Sequence, residues 1–143
     1  QQVLAAHPQL PQGALRIQPL ANLTQHHFDH LLWASDLNCV RGEDSLVRAL
    51  WAGQPLVWHI YPQDDGAHWP KLQAFLDWLQ APDDLRALHH HWNADSPNGP
   101  PPPVDWPRAA ACVQAARARL MAQPDLVTQL LACVGTTAEA AQP

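Results

Sequence analysis

Apolar residues change their period several times along the chain, and each change marks an element. Leu15 and Ile17 alternate with other residues, which predicts a short strand over residues 14–20 that ends near Pro19. Phe28, Leu31 and Leu32 fall at helical spacing within residues 25–34, and residues 36–41 read as a second strand. From Glu43 onward, Leu46, Val47, Leu50 and Trp51 recur at i, i+1, i+4 and i+5, and Gly53 stands where a helix C-cap glycine belongs. Leu56-Val57-Trp58-His59-Ile60, opening after Pro55, is an almost unbroken apolar run, as expected of a strand buried on both faces. Strand, helix and strand within about 25 residues make a tight βαβ unit, with parallel strands and a right-handed crossover.

Downstream, Pro70 fits the first turn of a helix carrying Leu72, Phe75, Leu76 and Leu79, and residues 85–92 read as another helix. Residues 96–103 hold Pro-Asn-Gly and then four consecutive prolines, a loop of polyproline character that can join neither helix nor sheet. Residues 106–122 and 124–134 return to helical patterns. Residues 1–13 lack a clear period and read as a boundary segment, and residues 135–143 as a disordered tail. Trp33, Trp51, Trp58 and Trp78 are assigned to packing. No internal repeat is visible.

A length of 143 residues with 47% apolar content is enough for one core, so residues 1–143 are expected to fold as a single unit. The chain starts at Gln1 and its sole methionine is Met121, which reads as a fragment or a processed piece. No apolar run approaches the roughly 18 residues needed to cross a bilayer, and no basic-then-apolar leader opens the chain, so no membrane association is expected. A net charge of −5 gives no electrostatic footprint for DNA or RNA. Cys39, Cys112 and Cys133 are odd in number and widely spaced, which argues against a disulfide framework or a zinc site and fits a reducing cytoplasm. His89, His90 and His91 on a helix would point about 100° apart and could not converge on one ion. His26 and His30 have the better i, i+4 spacing but no fixed third ligand, so the histidines are read as solvated or locally hydrogen-bonded and no metal is expected.

In a parallel sheet, ligands bind beyond the carboxyl ends of the strands. That rule selects Arg41-Gly42-Glu43-Asp44-Ser45, running from strand into helix, and the turn that starts at Tyr61 and runs to Gly66. Adjacent strands lie about 5 Å apart, which brings Arg41 and Tyr61 into reach of a common ligand. A helix N-terminus offers free N–H groups and partial positive charge, and Gly42 permits close approach, so a diphosphate suits the place. Arg41 adds a charge-assisted donor, Ser45 a hydroxyl and Tyr61 a phenol. Glu43 and Asp44 would repel a phosphate that they faced; they could instead cap the helix, meet sugar hydroxyls or orient Arg41. The plainer alternative has Arg41 paired with Glu43 or Asp44 on the surface, and Phe28 and Tyr61 as core aromatics.

Two long stretches, Leu32-Trp33-Ala34-Ser35-Asp36-Leu37-Asn38-Cys39-Val40-Arg41-Gly42-Glu43-Asp44-Ser45 and Trp51-Ala52-Gly53-Gln54-Pro55-Leu56-Val57-Trp58-His59-Ile60-Tyr61-Pro62-Gln63, resemble the signature of the EarP family. Its members place rhamnose on an arginine of elongation factor P. The resemblance is closest over residues 15–79 and weaker to about residue 134, with the proline loop as a local insertion. It implies an α/β fold, the Rossmann-like C-terminal, donor-binding lobe of a GT-B glycosyltransferase with additional C-terminal helices. It also implies an inverting mechanism without metal or cofactor, dTDP-β-L-rhamnose as donor, and elongation factor P as acceptor. By position, Phe28 would pack against the thymine and Gln25 would hydrogen-bond its edge. Arg41, Ser45 and Tyr61 would hold the diphosphate, with Glu43 and Asp44 near the phosphate–sugar junction and Glu43 the one catalytic candidate. Asn22 departs from the family's aromatic residue in the base pocket. The paired aspartates of the N-terminal lobe, one the family's general base, have no counterpart, so the chain alone is expected to be inactive and to need that lobe. The alternative is a non-catalytic nucleotide-binding or interaction module of the same fold.

Overall fold

The computed structural model describes residues 16–139. Thr24 opens the first helix, α1 (Gln25–Ala34), by accepting the His27 N–H on its hydroxyl at 3.3 Å. Leu32 is the buried residue of α1, and half-buried Phe28 packs on the core beside it. Asn38 then donates its side-chain amide to the Leu32 carbonyl at 3.0 Å, which fixes how the chain turns from α1 into strand β1 (Asn38–Arg41). Helix α2 (Glu43–Ala52) follows at once and stops at Gly53, whose left-handed φ of 75° lets its N–H reach the carbonyls of Ala49 and Leu50. Strand β2 (Leu56–His59) pairs parallel with β1 in the register Asn38 to Leu56 through Arg41 to His59. The βαβ unit is therefore formed as its apolar periods predict.

The remaining elements are helices: α3 (His68–Leu79), α4 (Asp83–Asn93), α5 (Trp106–Met121) and α6 (Leu126–Glu139). Leu72, Leu76 and Leu79 of α3, Leu85 of α4, and Ala109, Val113 and Ala116 of α5 close one core around Trp58 with Leu46, Ala49, Leu50 and Leu56. Small residues on α5 let it lie close, and its arginines reach outward. Arg117 donates to the Trp51 carbonyl at the end of α2, and Arg119 to the Trp78 carbonyl near the end of α3, each at 2.8 Å. Both helices thus have cations at their C-terminal ends, where the dipole favours them.

A two-stranded sheet leaves open edges, and β2 has one of them closed by side chains rather than by a strand. His89 Nε2 accepts the Trp58 N–H at 3.2 Å, while Asn93 accepts the Ile60 N–H at 2.9 Å and donates to the Trp58 carbonyl at 2.9 Å. The match is geometric, since four residues of helix rise about 6 Å and two residues of strand about 6.6 Å.

Four expectations need correction. Residues 16–20 are not a strand: they run exposed and unpaired with β1 or β2, because local alternation supplies no ladder partner. Of the tryptophans assigned to packing, only Trp58 is core; Trp33, Trp51 and Trp78 lie 53%, 44% and 39% exposed on outer helix faces. The expected tail is helical as far as Glu139, since one glycine inside a helix costs only about 1 kcal/mol relative to alanine and does not break it. Tyr61, for which a core role was the plainer alternative, is 51% exposed. Residues 96–103 are irregular, as expected. The boundary segment of residues 1–13 lies outside the described residues, as do residues 140–143 of the tail. Among the described residues no helix is long and apolar enough to cross a membrane.

Candidate functional site

The end of β1 turns into α2 at Gly42, whose φ of 81° and ψ of 169° belong to glycine. Its N–H donates to the His59 carbonyl at 3.3 Å, extending the ladder by one step, and its carbonyl accepts the Leu46 N–H at 3.2 Å and the Trp58 indole N–H at 3.1 Å. These contacts pin the N-terminus of α2 against the end of β2. Tyr61, just beyond β2, lies so close that a Cβ on Gly42 would sit 3.0 Å from its ring and 3.3 Å from its hydroxyl. The Arg41 guanidinium lies 4.9 Å from the centre of the same ring, within cation–π range. Arg41, Gly42 and Tyr61 are thus brought together at the carboxyl ends of both strands, beside the free N–H groups of the first turn of α2.

The two carboxylates of that turn have other partners than Arg41. Glu43 accepts from Lys71 of α3 at 2.5 Å. That hydrogen bond, and next the backbone N–H of Glu43 itself, hold the Glu43 carboxyl below its ordinary range. Asp44 accepts from Arg48 at 3.2 Å, and Arg48 also grips both oxygens of Asp29 on α1 at 2.8 and 2.9 Å. The surface pairing of Arg41 with Glu43 or Asp44 is therefore not made, and Arg41 is stacked rather than salt-bridged. Ser45 is half-buried at the third position of α2. Gln25 is exposed at the start of α1, with Phe28 one turn further on, and the Asp29–Arg48 pair ties this helix to α2.

The shelf is open. Two surface cavities lie elsewhere, one of about 520 Å³ between Trp51, Leu120, Met121 and Leu126, and one of about 380 Å³ between His59, His91, Trp92, Pro97 and Pro101. Neither is lined by Arg41 or Tyr61. The His26 and His30 rings lie tilted to each other with centres 4.2 Å apart, and no group of three or more metal-ligating side chains forms among the described residues. The sequence reading missed Lys71, for which a basic residue in the first turn of the helix after β2 was the available signal. It also missed the Trp58 indole as a ligand of Gly42, for which there was none.

The family model described as Elongation-Factor P (EF-P) rhamnosyltransferase EarP matches residues 1–135. A protein-arginine rhamnosyltransferase of Pseudomonas putida is 47% identical over 128 residues, covering 83% of this chain and 34% of the relative. One of Pseudomonas aeruginosa is 51% identical over 87 residues, covering 57% of this chain and 23% of the relative. A solved structure described as the structural basis for EarP-mediated arginine glycosylation of translation elongation factor EF-P superposes with a TM-score of 0.67 at 34% identity, over 94% of this chain and 48% of that one. The chain spans about a third or less of the length of these curated relatives and about half of the solved chain.

Proposed function

The chain belongs to the EarP family, and on that premise we propose that it is the Rossmann-like donor-binding lobe of a GT-B glycosyltransferase that transfers rhamnose from dTDP-β-L-rhamnose to an arginine of elongation factor P. The observation that carries the reading is the stacking of Arg41 on Tyr61 over Gly42 at the N-terminus of α2. An anion there meets a guanidinium, a phenol and free backbone N–H groups at once. In the proposed step an acceptor arginine nitrogen attacks the anomeric carbon from the face opposite the diphosphate. The new C–N bond forms as the bond from carbon to phosphate oxygen breaks, the electron pair leaves on dTDP, and the nitrogen gives its proton to a base outside this chain. This lobe stabilises the charge that develops on the leaving diphosphate through Arg41, Tyr61, Ser45 and the helix N-terminus. The step uses no metal or cofactor.

Glu43, held as a carboxylate by Lys71, accepts hydrogen bonds from sugar hydroxyls in this reading, and Asp44 lies at the phosphate–sugar junction. Gln25 and Phe28 flank the thymine from α1, without the aromatic partner whose place Asn22 takes. The partners are the N-terminal lobe that completes the cleft and elongation factor P, and the setting is the cytoplasm, where translation occurs. The test is a thermal shift and titration with dTDP. Binding should raise the melting temperature, and Arg41→Ala should weaken it by about 1.5–3 kcal/mol, as for a hydrogen bond to a charged group. A chain that dTDP leaves unshifted, or an Arg41→Ala variant that binds as tightly, would overturn the reading.

A further inference from the structure

A diphosphate seat that carries two carboxylates needs their charge balanced, and each carboxylate is balanced differently. Asp44 is answered within its own helix by Arg48, a cation it shares with Asp29 of α1. Glu43 is answered from another helix by Lys71, the fourth residue of α3, and both side chains are half exposed. The Lys71 ammonium also lies 6.0 Å from the centre of the Trp58 ring, and that indole donates to the Gly42 carbonyl. Lys71, Trp58, Gly42 and Glu43 therefore form one connected group beneath the start of α2. Resting on the donor-site reading above, we propose that Lys71 is a positioning residue of that site: it cancels the charge of Glu43 and fixes its carboxylate, so that Arg41 and the α2 N–H groups present a net positive field to the diphosphate. Unpaired, Glu43 would stand as a full anion at the same helix terminus and oppose the ligand through a medium that screens it only partly.

Four proteins test this: the wild-type chain, Lys71→Gln, Glu43→Gln and the double variant, each titrated calorimetrically at low salt with inorganic pyrophosphate and with dTDP. Lys71→Gln should weaken both ligands about tenfold, and adding Glu43→Gln should return affinity to within about threefold of wild type, because the charge to be cancelled is gone. That recovery also excludes misfolding, since the double variant carries the same Lys71 change. In the ligand-free chain, the Glu43 carboxyl followed by carbon NMR should titrate at higher pH in Lys71→Gln than in wild type. Unchanged affinity in Lys71→Gln overturns the proposal. So does a double variant as weak as Lys71→Gln, which would make Lys71 a direct phosphate ligand, or a Glu43 midpoint that does not move. If the wild-type chain binds neither ligand, the donor-site reading itself falls and this proposal with it, which is a different result from wild-type binding that Lys71 does not affect.

Discussion

At the scale of single residues, Gly42 is the position least able to change. Its φ and ψ lie in a region that any side chain pays to enter, and the space a Cβ would take belongs to the Tyr61 ring. Gly42→Ala is expected to cost about 1–3 kcal/mol of stability and to push Tyr61 off the shelf, so denaturant unfolding and dTDP affinity should fall together. Tyr61→Phe separates the two effects. The ring still packs on Gly42 and under Arg41, so the melting temperature should hold, while dTDP binding weakens by about 1 kcal/mol if the hydroxyl reaches a phosphate. Equal affinity would leave the phenol with no part beyond supporting Arg41.

Among the elements, the closure of β2 by α4 puts a titratable group where it cannot take a proton cheaply. His89 is fully buried with Nδ1 against the Leu85 carbonyl and Nε2 accepting from Trp58, so it is neutral, and desolvation lowers its pKa from 6.5 to about 4. A folded-state pKa below the unfolded one means that the unfolded chain binds the proton first. Stability is therefore flat above about pH 6.5 and falls as the pH drops toward 4, by up to about 3 kcal/mol from this group. Urea midpoints at pH 7.5 and pH 4.5 check it: His89→Leu should lose this part of the pH dependence while being about 1–3 kcal/mol less stable at pH 7.5, because the Trp58 N–H is left unpaired. Asn93→Ala, which frees the Ile60 N–H and the Trp58 carbonyl, should cost a similar amount at both pH values. This closure was only half legible. Leu85, Leu88 and His89 share the buried stripe of α4, so phase alone places His89 inward, but nothing local says that its ring and Asn93 replace a strand. The βαβ unit was legible because its helix and strands carry their own periods and Gly53 its own stop. Trp33, Trp51 and Trp78 were misread because residue type says what could be buried, and only the packing of neighbouring elements decides which face is. That Arg41, Gly42 and Tyr61 lie together was legible from the rule that parallel strands end at a common edge, whereas Lys71 reaches Glu43 across 28 residues through tertiary structure.

At the scale of the whole molecule, helices α2 and α3 share one polarity. The N-termini of α2 and α3 lie beside the Arg41–Tyr61 shelf, tied there by Gly42, Glu43 and Lys71, while their C-terminal ends are held by Arg117 and Arg119 of α5. The anion-attracting ends of these two helices thus lie beside the shelf, while α4 runs the other way and ends with Asn93 on Ile60. In the proposed reading the shelf seats the leaving group, and both of its carboxylates are engaged by cations, Glu43 by Lys71 and Asp44 by Arg48. Binding and turnover should then separate physically. The isolated chain is expected to bind dTDP yet leave elongation factor P unmodified when incubated with dTDP-β-L-rhamnose, as judged by mass spectrometry of the acceptor arginine for an added deoxyhexose. Supplying the N-terminal lobe of a relative, fused or in trans, should restore the addition wherever the two lobes pair. Transfer by the isolated chain would contradict this division of labour. It would put the base on the shelf itself, with Glu43 released from Lys71 as the first residue to test by Glu43→Gln.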